Sequence, residues 1–121
     1  PYLPIYHFPA DPRLIDLAVA VSEKRVPEQQ VFSGRVVSGD QFIADGEKVA
    51  QLKARFQASC TEMEGAAVAQ VCWMNQIPFV VIRSMSDQAD GEAEVSYHDF
   101  MHVVAEHSYL IVTGMLEEWN L

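Results

Sequence analysis

Two glutamates two residues apart, Glu62 and Glu64, and a downstream stretch bearing Arg83, Ser86 and Asp87 hold the groups best equipped for chemistry in this sequence. Glu64 stands at the head of an almost wholly apolar, alanine-rich run, MEGAAVAQVCWMN at 63–75. A carboxylate in the first turn of a helix gains about 0.3–1 kcal/mol from the helix dipole, and that alone is one sufficient reason for its presence. The apolar turns after it give a second reading, in which Glu64 points into a partly buried crevice. An unpartnered carboxylate is costly there, so it calls for a hydrogen-bonding ligand such as a sugar diol. Asp87 directly succeeds another apolar run. It either caps loop amides or acts as an acid, because a carboxyl in a partly dry pocket has a raised pKa and can donate a proton at neutral pH. Arg83, four residues earlier, is either a buried counter-ion or a ligand to the sugar.

A third polar place is the Ser38-Gly39-Asp40 turn with Phe42 behind it. Phe42 and Tyr97 fit either a plain core or a face on which a flat base stacks. Asp90, Glu92 and Glu94 read as a solvated acidic loop. His98 and His102 lie four apart, but on an outer helix whose face is solvated. Cys60 and Cys72 have neither CxxC spacing nor a second pair, so they read as reduced core thiols. No metal and no other cofactor is expected.

Holding these groups in place requires a set of elements. Asp11 before Pro12 is a helix start, since proline at the first position loses no hydrogen bond. The helix is expected over 12–25, with Leu14, Ile15, Leu17, Ala18 and Val21 on one stripe and Pro27 ending it. The β-branched run 30–37 predicts a strand, 47–56 an amphipathic helix with Val49, Leu52 and Phe56 inward, and 58–62 a brief strand. The 63–75 run predicts a buried helix. PFVVIRS at 78–84 predicts a strand covered on both faces. Residues 86–94 predict a loop, after which Ser96 caps a long helix to about residue 119. Its inward face is assigned to Tyr97, Phe100, Val103, Val104, Tyr109, Leu110, Val112 and Leu116. Strands alternating with helices imply an α/β sheet with helices on both faces, and the three polar places fall where such folds hold their sites, at strand ends.

Half of the 121 residues are hydrophobic, which is a core-forming composition. A net charge of −9 with eight scattered basic residues argues against nucleic acid, whose phosphates call for clustered Lys and Arg, so no nucleic acid is expected. No apolar run is long enough for a bilayer, and no membrane partner is expected. The opening PYLPIYHFP, rich in proline and aromatics, reads as the middle of a loop over residues 1–10 and as a cleavage or truncation point.

Three segments resemble one known family: VVSGDQFI at 36–43, TEMEGAAVAQVC at 61–72 and PFVVIRSMSDQAD at 78–90. They are similar, in order and spacing, to the purine nucleoside phosphorylase/uridine phosphorylase superfamily, and within it to the 5′-methylthioadenosine/S-adenosylhomocysteine nucleosidases. The Met-Glu pair resembles the whole superfamily, whereas the Ser-Asp-x-Ala-Asp stretch resembles the nucleosidases. Gly65 stands where alanine is more usual, and Tyr97 where phenylalanine is.

The resemblance implies a three-layer α/β/α fold, with residues 1–121 as the C-terminal part of a single nucleosidase domain and its mixed central sheet. It implies hydrolysis of the N-glycosidic bond of methylthioadenosine and S-adenosylhomocysteine, in methionine salvage. By resemblance Asp87 protonates the purine at N7, positioned by Ser86. Phe42 stacks on the base while the Ile43 backbone bonds its edge. Met63 and Glu64 hold the ribose, with Glu62 and Arg83 in support, and Tyr97 covers the methylthio group. The family's water-activating glutamate lies in an N-terminal half that this chain lacks. The expected partners are therefore that half, a second subunit in a homodimer and the nucleoside, in the cytoplasm, with the chain inactive alone. Two alternatives stay open: a phosphorylase of the same fold, and a non-catalytic nucleoside-binding or dimerisation fragment.

Overall fold

The computed structural model of the chain describes residues 7–85 and 97–119. Its elements run α1 (Pro12–Arg25), β1 (Arg35–Ser38), α2 (Gly46–Phe56), β2 (Ala58–Glu62), α3 (Gly65–Met74) and α4 (Tyr97–Glu117). Helices thus alternate with parallel strands, as expected for an α/β chain.

The two helix starts marked by an aspartate form as local chemistry dictates. Asp11 and Asp45 sit in extended backbone and each accepts a hydrogen bond from the amide two residues on, at Arg13 and Glu47. Lys24 and Arg25 close α1, and Lys53 and Arg55 close α2, where positive charge complements the carbonyl end of the dipole.

β1 and β2 pair in parallel, with Val36 opposite Cys60, Val37 opposite Thr61 and Ser38 opposite Glu62. α2 is the crossover between them. α3 packs on β1, α2 on β2, and α1 on α4. β1 is shorter than the expected 30–37. Arg35 already faces Ala58, and the chain before Ala58 is the end of α2, so residues 30–34 have no strand to pair with. A register irregularity between Arg35 and Val36 marks the ladder's start.

The expected strand 78–84 is not part of the sheet either. Among the described residues β1 and β2 pair only with each other, and the segment's backbone is tied instead through the Asp11 N–H to the Phe79 carbonyl, at 2.8 Å. Its Val80 and Ile82 side chains, two apart, pack on the helical core. The apolar run is legible in the sequence, but a strand also needs a neighbour.

That core lies between α1 and α4. Ala18, Val21, Val26, Ile111 and Met115 are buried, with Leu17, Leu110, Val80 and Ile82 packed around them. Val21 is wholly sequestered. Burying a side chain of that kind stabilises by about 1.5–3 kcal/mol. The α1 stripe is the expected one. On α4 the buried face is Ile111, Gly114 and Met115, whereas Val103, Tyr109, Val112 and Leu116, expected inward, are exposed. The apolar arc of this helix is wider than the face that is buried, so its pattern does not single out that face. α2 buries none of its residues: Val49 and Leu52 are half-buried and Phe56 is exposed. α3 also departs from expectation. Only Gly65 and Ala69 are buried, while Val68, Val71 and Met74 face outward. Phe8, within the stretch read as an opening loop, lies 5.9 Å from the Trp73 ring of α3, centroid to centroid.

Candidate active site

Parallel strands bring their C-terminal ends to one edge of a sheet, and the segment after each strand emerges there. Past β1, that edge carries Gly39 to Ile43 in sequence; past β2, it carries Met63 and Glu64. The Gly39 N–H donates to the Glu62 carbonyl at 3.1 Å, extending the pairing one step beyond the strands.

Glu62, the last residue of β2, turns inward. Its side chain is 3% exposed, against 66% for Glu64. A buried carboxylate needs donors, and it has them. The Ser38 hydroxyl donates to its Oε1, the Glu64 N–H reaches Oε2 at 3.1 Å, and the Gly65 N–H reaches both oxygens, at 2.9 and 2.7 Å. Arg83 Nη2 lies 3.8 Å from Oε2. Burial pushes this carboxyl up, but the Ser38 hydroxyl, the two amides and the Arg83 charge outweigh it and hold it below the usual glutamate value. Gly65 contributes by what it lacks. A Cβ there would stand 3.0 Å from Glu62 Oε1.

Ser38 both donates and accepts in the same network, since its Oγ also accepts the Ala66 N–H at 2.8 Å. Glu62 and Ser38 together therefore satisfy the first amides of α3, the groups a helix start leaves orphaned.

Glu64 occupies the N-cap position of α3, yet its side chain makes no capping bond. The crevice expected for it belongs to Glu62 instead. Glu64 stands outside, with Arg83 Nη2 at 3.3 Å from its Oε2. An exposed carboxylate paired on one oxygen with a guanidinium that is itself 42% exposed retains acceptor sites for hydroxyl groups.

Four groups are thus brought together: Glu62, Glu64 and Arg83 of the expected site, and Ser38, whose turn the sequence marks but whose hydroxyl it does not. Met63 is exposed beside them. Phe42 is 74% exposed on the segment after β1, and Ile43 is half-buried next to it. Ser86 and Asp87 lie outside the described residues, as do Asp90 and Ser96. Tyr97 begins α4. Cys60 and Cys72 are free. Among the described residues no three His, Cys, Asp or Glu side chains form a metal-holding group, and no helix is long and apolar enough to cross a membrane.

Comparison with known proteins gives this arrangement a context. The sequence model of the phosphorylase superfamily matches residues 1–117. The chain is 44% identical over 112 residues to the 5′-methylthioadenosine/S-adenosylhomocysteine nucleosidase of Actinobacillus succinogenes, covering 92% of this chain and 48% of that protein. Among solved structures it is similar to futalosine hydrolase of Helicobacter pylori, with a TM-score of 0.82 and 34% identity over 98% of this chain and 51% of that one. It is equally similar to a Helicobacter pylori methylthioadenosine nucleosidase mutant with 5′-methylthioadenosine in its active site, with a TM-score of 0.83 and 32% identity over 98% of this chain and 51% of that one. The chain spans about half the length of the relatives it matches.

Proposed function

This chain belongs to the phosphorylase superfamily, and on that premise we propose that it carries the ribose- and base-binding half of a nucleosidase acting on 5′-methylthioadenosine and S-adenosylhomocysteine. The observation that carries the reading is the division of labour between two glutamates. Glu62 is buried and fully engaged by the backbone and Ser38, while Glu64 is exposed, freed from capping and flanked by Arg83. A carboxylate in that state is suited to accept hydrogen bonds from a vicinal diol.

The bond to be broken sets the chemistry. Hydrolysis breaks the C1′–N9 bond and joins the oxygen of water to C1′. The proton that the water loses passes to the water-activating glutamate proposed for the rest of the protein. The departing purine gains negative charge while the ribose gains oxocarbenium character. In the proposal Asp87, held by Ser86, gives N7 its proton; general acid assistance of this kind is worth about 10²–10⁴-fold. Glu64 fixes the sugar through its hydroxyls and favours the developing cation, with Met63 against the ribose and Glu62 and Arg83 behind. Phe42 stacks on the base, the Ile43 backbone bonds its edge, and Tyr97 covers the 5′ substituent. The bound methylthioadenosine in the Helicobacter pylori mutant supports this substrate class.

The coverage of about half of each relative supports a chain that works with the rest of a single nucleosidase domain, as its C-terminal part. Its proposed setting is a cytoplasmic homodimer.

Base release from methylthioadenosine, S-adenosylhomocysteine and futalosine, with and without phosphate, tests the reading on the chain alone and on the intact protein. Futalosine is included because its hydrolase matches at a comparable TM-score. Phosphate-independent release by the intact protein is expected. A phosphate requirement would move the protein to the phosphorylases, and no release at all would leave a binding fragment.

A further inference from the structure

Ser38 lies on a different strand from every group proposed to touch the sugar, yet it is bonded to the turn that presents them. Its hydroxyl donates to Glu62 and accepts from the Ala66 N–H at 2.8 Å. Glu62 in turn receives the amides of Glu64 and Gly65. The backbone of the Met63–Glu64 turn is thereby pinned from both sides, to β1 through Ser38 and to β2 through the Glu62 carboxylate.

This arrangement has a consequence for Glu64. A side-chain oxygen at the N-cap is placed to accept an amide of the first helical turn, and a carboxylate held there is turned toward the helix and gives up acceptor sites. Here Glu62 and Ser38 take up those amides, and the Glu64 side chain makes no capping bond. We propose that Ser38 is a positioning residue for Glu64: by locking Glu62 onto the start of α3 it holds the turn in place and leaves the Glu64 carboxylate free for the ribose hydroxyls. The inference rests on the nucleosidase reading above, and it has Ser38 act through Glu62 and the Ala66 amide, the groups its hydroxyl engages.

Removing the Ser38 hydroxyl leaves the Ala66 amide without its acceptor and Glu62 without one of its donors. Glu64 then competes for the vacated amide. The loss should therefore appear wherever a substrate depends on Glu64 and be small where it does not.

The test compares Ser38→Ala and Ser38→Thr with the parent in the intact protein, using methylthioadenosine and its 2′-deoxy and 3′-deoxy analogues. Expected for Ser38→Ala is a fall in kcat/KM of about 10- to 100-fold on the full ribose, the range a misplaced binding group produces. On the analogue lacking the hydroxyl that Glu64 holds, the fall should be far smaller, and Ser38→Thr, which keeps the hydroxyl, should recover most of the rate. An equal fall on all three substrates would mean general damage to the fold and would overturn the proposal. An unchanged rate in Ser38→Ala would overturn it too. If the parent protein releases no base from any substrate, the nucleosidase reading fails first, and Glu64 has no ribose for Ser38 to serve.

Discussion

Gly114 of α4 comes so close to Val21 of α1 that a β-carbon on it would sit 2.6 Å from Val21 Cγ1. Val21 is wholly buried, so it has little room to retreat, and Arg25 stands 3.5 Å from the same point. Gly114→Ala should therefore destabilise the protein even though alanine is the better helix former by about 1 kcal/mol. Overpacking typically costs about 1–3 kcal/mol, so a net loss of up to roughly 2 kcal/mol is expected by thermal or denaturant unfolding. Adding Val21→Ala should make the double substitution less destabilising than the sum of the singles. A Gly114→Ala protein more stable than its parent would contradict the close approach.

Gln57 ends α2 in the left-handed region, at φ 54° and ψ 37°, with its N–H bonded to the Lys53 carbonyl at 2.9 Å. A side chain there costs about 1–2 kcal/mol, and glycine returns part of that as unfolded-state entropy, about 0.5–1 kcal/mol. Gln57→Gly should accordingly stabilise by roughly 0.5–1 kcal/mol. Loss of stability on equilibrium unfolding would count against the left-handed cap.

Acid should act through Glu62. Its carboxyl is held below the ordinary glutamate value of 4.5, so its contribution is complete above that pH and is lost as pH falls through the lower, folded value. At neutral pH Glu62→Gln should cost about 1–3 kcal/mol, because an amide replaces an acceptor that faces backbone donors. Below pH 4.5 the gap between parent and variant should close. A gap that stays constant down to about pH 3 would show that the carboxylate's charge is not what the amides and Arg83 hold.

Asp87→Asn removes the proton proposed for N7 while keeping size and polarity. Turnover should fall by about 10²–10⁴-fold, with folding and substrate binding retained. Near-parental turnover would transfer the acid role to another group.

What the sequence made legible was whatever local chemistry determines. Asp11-Pro12 announces the start of α1, the amphipathic run 47–56 lies within a residue of α2, and the Leu14, Ala18, Val21 spacing names the buried face of α1. What it hid depends on partners far along the chain. Glu62 and Glu64 are chemically identical and two residues apart. The Ser38 hydroxyl opposite Glu62, with the Glu64 and Gly65 amides, holds one inward, while the other stands at the surface. PFVVIRS has the composition of a covered strand, but composition does not supply a neighbour. On α4 the apolar arc is wider than the face that is buried, and α1 packs on the part of it that carries Ile111, Gly114 and Met115. Of the candidate site, the carboxylates and Arg83 were legible, whereas the Ser38 hydroxyl became visible only through the strand register.

Cys60 lies two residues before Glu62 on β2, and alternate strand residues share a face. Burial and the negative charge of Glu62 both push its thiol up, against a smaller opposing pull from Arg83. The cysteine is therefore a native reporter of the carboxylate next to it. Its alkylation rate at fixed pH, measured by mass spectrometry to distinguish it from Cys72, should rise when Glu62 is replaced by glutamine. The charge state of a group that titrates out of spectroscopic reach is thus written into the reactivity of a sulfur atom already in the chain.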